Sequence, residues 1–145
     1  MQGCIFCDIV AGKAPASVVH RDERCIAFMD IRPVTPGHLL VIPIAHAPYL
    51  AHLEPTQGGH LFRMAQRLAA GIRRSGLRAD GINFFLADGE VAGQEVFHVH
   101  LHVFPRFKGD GFGLRFSPEY GQPVPHERLD REAAAISRAV ANAQS

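Results

Sequence analysis

No apolar run in this 145-residue chain approaches the roughly 20 residues needed to span a bilayer. The N-terminus, Met1-Gln2-Gly3-Cys4, also lacks the basic region and apolar core of a secretory leader. The expectation is a cytoplasmic protein with no membrane partner. Cysteine is scarce, at three residues, so no even disulfide framework is available. In a reducing compartment Cys4-Ile5-Phe6-Cys7 reads as a metal or packing pair, and Cys25 as a buried core thiol. Charge of one sign is missing too: fifteen Lys and Arg against fourteen Asp and Glu leave a formal +1. That excludes the basic excess of a nucleic-acid binder, so any anionic ligand must be held by local chemistry. With 47% hydrophobic and 20% charged residues, the signature of disorder is absent as well. Histidine is what the chain has in plenty, with nine residues, several of them close together.

The order of elements follows from hydrophobic patterning. Ile5 to Val10 reads as a brief helix or turn. Ser17 to His20 and Cys25 to Asp30 carry β-branched and aromatic residues on either side of the polar Arg21-Asp22-Glu23-Arg24, a hairpin signal. After the punctuation of Pro33 to Gly37, His38-Leu39-Leu40-Val41-Ile42-Pro43 reads as a strand buried on both faces. Leu61, Met64, Ala65, Leu68 and Ile72 recur at helical spacing, which predicts an amphipathic helix between Glu54 and Gly76. Pro55 suits its first turn and Gly76 its C-terminal end. A fourth strand is expected at Ile82 to Leu86 and a fifth at Val96 to Phe104. The Gly-rich run 108–113 reads as a flexible turn, and a last helix is expected at about 126–143. The prediction is one α+β domain over 1–145, with a core at 4–106 and a five-stranded, mainly antiparallel sheet.

The fifth predicted strand carries His98-Val99-His100-Leu101-His102. Side chains alternate along an extended backbone, so the three histidines share one face while Val99, Leu101 and Val103 take the other. At about 3.3 Å per residue the outer two lie roughly 13 Å apart along the backbone, too far for all three to wrap one metal unaided. Neighbouring members can still share one, and His-x-His pairs are common zinc ligands. The row equally suits three separate roles along one anionic ligand, since imidazole serves as nucleophile, acid or donor near neutral pH.

The segment Gly93-Gln94-Glu95-Val96-Phe97-His98-Val99-His100-Leu101-His102-Val103-Phe104-Pro105-Arg106 resembles the signature of the histidine triad (HIT) superfamily, in its Hint-like branch. The resemblance extends upstream through Cys4 to Ile9, Phe28 to Pro33, Pro36 to Pro43 and Asn83 to Gly89, covering about residues 4 to 106. It implies the HIT-like fold and a homodimer that binds a purine nucleotide such as AMP. It further implies cleavage at the α-phosphorus through a covalent nucleotidyl-histidine, with no metal required for catalysis. By this resemblance His100 is the nucleophile, His102 contacts the α-phosphate and His98 orients the row. Ile5, Phe6, Ile9, Phe28 and Ile31 match the base pocket and Asp30 the ribose acceptor. Asn83, Asp88, Gln94, Glu95 and Val96 fall among the substrate-binding positions. The resemblance also implies a structural zinc on Cys4, Cys7, His46 and His98.

The chain departs from that pattern at three places. Ile44 stands where a lysine is usual, Asp88 where the family carries a second asparagine, and Glu95 where some relatives carry serine. Ile44 removes a cation and bears on leaving-group preference. A carboxylate beside a phosphate repels it unless paired or protonated, so Asp88 contacts a ribose or faces solvent. Glu95 serves as an acid for the departing amine or is simply exposed. The leading expectation is an adenosine 5′-phosphoramidate hydrolase. The alternatives are a dinucleoside polyphosphate hydrolase, a nucleotide-binding scaffold and a zinc-dependent hydrolase.

Overall fold

The computed structural model describes residues 3–143. They form two compact units, one ending at Phe112 and one beginning at Gly113. Among the described residues no helix is long and apolar enough to cross a membrane.

The first unit is α+β. Helix α1 (Ile5–Val10) leads into strands β1 (Val18–Arg21), β2 (Cys25–Met29) and β3 (Leu39–Pro43), then helix α2 (Pro55–Arg74), strand β4 (Gly81–Phe85) and strand β5 (Leu101–Arg106). The strands make one antiparallel sheet in the order β1-β2-β3-β5-β4. The predicted elements all form, with ends shifted by a few residues except in β5. Pro55 opens α2, and Gly76 lies just past its end with φ +88°, a conformation that costs glycine little.

Strands β2 and β3 are buried on both faces because both faces are covered. Cys25, Ala27, Leu39, Val41, Leu101 and Val103 pack with Leu61, Met64, Ala65 and Ile72 of α2. Ile26, Phe28, Leu40 and Ile42 pack on the opposite side with Cys4 and Phe6 at α1. Each fully buried aliphatic or aromatic side chain contributes about 1.5–3 kcal/mol relative to exposure. The N-terminal turn is therefore part of the core and not an appendage.

One boundary differs from expectation. β5 begins at Leu101, not Val96, so His98 and His100 lie on extended chain ahead of the ladder. The β3–β5 register ends at Val41 opposite Leu101, and Pro43 lies just beyond it. Proline has no N–H to donate, and the Pro43 carbonyl instead accepts from the His98 ring at 2.9 Å. A side chain thus takes the bond that would have continued the sheet. The alternation of faces survives, with Val99, Leu101 and Val103 in the α2-side core.

The Gly-rich turn is built, not loose. The Asp110 carboxylate pairs with Arg106 (Nε 2.6 Å, Nη2 3.2 Å) and accepts from the N–H groups of Phe107 and Phe112. The second unit contains a stacked pair, Phe116 on Tyr120, with ring centroids 3.8 Å apart. It continues into helix α3 (His126–Ala143).

Gly37, which precedes His38, has φ +100°, and a Cβ there meets Leu77 Cδ1 at 3.0 Å and Pro105 Cγ at 3.2 Å. Gly37→Ala is expected to cost about 1–3 kcal/mol through backbone strain and this crowding. Gly59 lies in α2 with nothing near its missing Cβ, so Gly59→Ala is expected to add about 0.5–1 kcal/mol. Urea unfolding of the two variants checks both signs.

Candidate functional site

The site is assembled from extended chain and strand ends. Residues 98–102 lie between the core and a cavity of about 860 Å³. Of the predicted substrate-binding positions, Ile5, Phe6, Ile9, Phe28, Asp30, Ile31, Glu95 and Val96 line that cavity, together with His100 and His102. Asn83, Asp88 and Gln94 do not. Asn83 Oδ1 accepts from Arg106 Nη1 at 2.7 Å. Asp88 Oδ1 accepts from the Leu50 N–H at 2.9 Å. Gln94 is buried, donating to the Pro48 and Val96 carbonyls and accepting from the Gly89 N–H. The last two residues brace the loop that presents Glu95 and Val96. A shallow groove elsewhere, between α2 and β4 around Arg73 and Phe84, contains no histidine.

The hydrogen bonds fix the tautomer of each ring, because a carbonyl only accepts and an amide N–H only donates. His100 Nδ1 lies 2.8 Å from the His98 carbonyl and so carries the proton. Burial lowers the pKa of His100 from its ordinary value, which favours the neutral ring with a lone pair on Nε2. The ring packs edge-on to Phe6, with centroids 5.2 Å apart. His98 is fully buried and donates Nε2–H to Pro43, leaving Nδ1 bare.

His38, which the sequence reading placed at the head of a strand and gave no role, completes the row. Its Nδ1 accepts from the Val34 N–H at 3.0 Å, so the proton sits on Nε2. That Nε2–H lies 2.9 Å from His102 Nδ1 and 3.5 Å from Asp30 Oδ2. His102 therefore accepts at Nδ1 and keeps its own proton on Nε2, as a donor on a cavity-lining ring. The available signal was a histidine beside an apolar run, where a buried imidazole needs a partner. Phe112 also lines the cavity. It packs edge-on to Phe104, and its carbonyl accepts from Arg106 Nη2 at 2.9 Å. Its place depends on the Arg106–Asp110 pair, which spacing alone does not reveal.

His98 Nδ1 faces away from the other two rings, into a second cluster. The donor atoms of Cys4, Cys7, His46 and His98 all lie within 4.8 Å of one another. His46 Nδ1 is 3.3 Å from His98 Nδ1, and the sulfurs of Cys4 and Cys7 are 3.5 and 3.6 Å from His98 Nδ1. Cys7 Sγ is 3.2 Å from His46 Nδ1. A tetrahedral zinc at its usual bond lengths spaces two nitrogens about 3.4 Å apart and a nitrogen and a sulfur about 3.6 Å apart. The donor set fits such an ion, and the His98–Pro43 bond supplies the outer hydrogen bond that orients a ligating imidazole.

The chain matches the HIT domain family over residues 11–109 and belongs to that family, one of nucleotide-binding hydrolases and transferases. Among its relatives is protein hit of Bacillus subtilis, 37% identical over 142 residues, covering 97% of each chain. A HIT family protein from Bacillus anthracis has a similar structure, with a TM-score of 0.87 and 37% identity, covering 95% of this chain and 97% of that one. A zinc-bound histidine triad family protein from Mycobacterium smegmatis is 42% identical, with a TM-score of 0.74 and coverage of 95% and 97%.

Burial, then the neighbouring His100 and His38, hold the His102 pKa down to about 4, against an opposing effect of Asp30. The unfolded chain titrates near the ordinary histidine value of about 6.5. Between those values it takes up a proton that the native chain does not, so this contribution is lost as pH falls. Stability is expected to drop from pH 7 to pH 5, with a shallower drop for His102→Gln. Urea midpoints at both pH values test this, and parallel changes in the two proteins contradict it.

Proposed function

We propose that this chain hydrolyses adenosine 5′-phosphoramidates through a covalent nucleotidyl-histidine on His100. The observation that carries the reading is the bond from His100 Nδ1 to the His98 carbonyl, which leaves Nε2 as the basic atom of a ring lining the cavity. Nε2 attacks the α-phosphorus, a P–Nε2 bond forms and the bond to the leaving amine breaks. The departing amine takes a proton, with Glu95 at the cavity wall as its source. Water then attacks phosphorus and gives a proton to the Glu95 carboxylate as the P–Nε2 bond breaks, so AMP is released and both His100 and Glu95 are regenerated. Covalent catalysis gains by dividing one hard displacement into two. His102 Nε2–H faces the phosphoryl oxygens, supplying a donor where charge develops. Val96 adds apolar wall beside it.

The base packs among Ile5, Phe6, Ile9, Phe28 and Ile31, and Asp30 accepts from the ribose hydroxyls. Asp30 Oδ1 already accepts from the Arg32 N–H at 2.8 Å, which fixes the carboxylate. Cys4, Cys7, His46 and His98 hold a structural zinc that ties the N-terminal turn to the histidine segment, and none of the chemical steps passes through it. The functional unit is a homodimer. Glu95 favours a leaving amine over a polyphosphate, since an amine needs a proton to depart and a polyphosphate leaves as an anion without one.

A substrate panel of adenosine phosphoramidate and diadenosine polyphosphates, run on the wild type and His100→Ala, tests the reading. The variant is expected to lose at least about 10³-fold in turnover while still binding AMP, and only the wild type traps a labelled nucleotidyl group. Chelator is expected to lower the melting temperature but leave folded protein active. Full activity in His100→Ala overturns the mechanism, and preference for the polyphosphates overturns the substrate assignment.

A further inference from the structure

On the α2 side of the sheet, remote in sequence from the histidine row, a second group of metal-type donors converges at the β1–β2 turn. His20 Nε2, an Asp22 carboxylate oxygen and Cys25 Sγ all lie within 4.8 Å of one another. His60, on α2, reaches the same carboxylate: its Nε2 is 2.9 Å from Asp22 Oδ2, the same separation as His20 Nε2. Cys25 Sγ is 3.5 Å from that oxygen. Two imidazoles, a carboxylate and a thiol are thus gathered from a hairpin and a helix 38 residues apart.

Turn formation explains only half of this arrangement. Asp22 Oδ1 accepts from the Arg24 and Cys25 N–H groups at 2.8 and 2.9 Å, which is what a side-chain-capped turn requires. Those bonds leave Oδ2 free to point elsewhere and fix where it points. His20 and His60 add nothing to the turn itself. The sulfur–oxygen separation suits coordination, since a tetrahedral zinc spaces a carboxylate oxygen and a sulfur about 3.5 Å apart. His20 Nε2, at hydrogen-bond distance from Asp22, would move back by about 0.4 Å to reach the nitrogen–oxygen spacing. His20 and Asp22 are each 28% exposed and His60 16%, which gives an ion a path in, while Cys25 is fully buried and closes the floor. Neither Nδ1 of His20 nor of His60 has a hydrogen-bond partner among the described residues. Both Nε2–H groups donate to the Asp22 carboxylate in the metal-free protein, and the unpartnered Nδ1 of His20 can take up the proton when an ion replaces it at Nε2.

We propose that His20, Asp22 and Cys25 form a binding site for a divalent transition-metal ion of the zinc class, with His60 holding the Asp22 carboxylate from outside the donor set. It is distinct from the cluster of Cys4, Cys7, His46 and His98. On binding, the Cys25 thiol releases one proton to solvent, and thiolate and carboxylate together balance the ion's charge. The mixed nitrogen, sulfur and oxygen set selects zinc or cobalt over magnesium or calcium. The ion would fix the β1–β2 hairpin, which the Asp22–His60 bond already ties to α2.

Full-length metal-free protein is titrated with Co²⁺ and with Zn²⁺, counting bound equivalents after desalting and following the thiolate-to-cobalt absorption. Wild type is expected to hold one equivalent more than His20→Ala, and one more than Cys25→Ala, whatever the occupancy of the other cluster. His60→Ala is expected to weaken that same equivalent at least tenfold. Since His20 is partly exposed, its variant reads out binding even if Cys25→Ala folds poorly, and circular dichroism of each metal-free variant separates the two effects. Equal stoichiometry and equal cobalt spectra in wild type and His20→Ala overturn the proposal and leave the cluster as a hydrogen-bonded pin.

Discussion

An imidazole taken out of water must find partners for two different nitrogens, and most of this molecule's first unit is arranged around that requirement. His98, His100 and His38 are buried and His102 nearly so. An unpaired buried polar atom costs on the order of 1–3 kcal/mol, so four rings left to themselves would consume much of a small domain's stability. The chain meets the demand with backbone atoms. The Pro43 and His98 carbonyls and the Val34 N–H each take one ring nitrogen. Each such bond also decides where the remaining lone pair or proton of that ring points.

The consequences reach the fold. The sheet stops at Leu101, beyond which the Pro43 carbonyl serves the His98 ring and the Val99 N–H donates to Ala47. Freed from the ladder, the His98 ring turns its Nδ1 toward Cys4, Cys7 and His46 while His100 stays on the cavity. A histidine that geometry alone could have turned either way is turned wholly toward the Cys/His donor cluster and away from the cavity. The N-terminal turn is drawn in by the same arrangement: Phe6 packs on the rings of both His98 and His100. Packing at α1, the Cys/His cluster and the presentation of His100 are thus one cooperative unit. A defect in any of them should be felt at the others.

Much of this was legible in the sequence. Alternation placed the valine and leucine residues between the histidines in the core, helical spacing located α2, and Cys4-x-x-Cys7 with His46 and His98 marked four donors that the fold brings together. What the sequence hid has a common cause, namely interactions between side chains and distant backbone. Nothing in Gln94 or Asp88 says that they brace the loop from Gly89 to Glu95 instead of facing the cavity. Nothing in a Gly-Asp-Gly run says that Asp110 locks onto Arg106 and so sets Phe112 as a cavity wall. The β5 start was misplaced for the same reason, since apolar patterning does not record a carbonyl already engaged.

Backbone bonds to His38, His98 and His100 fix which ring nitrogen of each is protonated, and through His38 that of His102. Nitrogen-15 NMR of histidine-labelled protein at neutral pH tests it most directly, because protonated and bare ring nitrogens differ widely in shift. The expected result is a neutral His100 with its proton on Nδ1 and a bare Nε2, and the opposite tautomer, Nε2–H, at His38 and His102. A proton on Nε2 of His100, or a charged ring there, would contradict it.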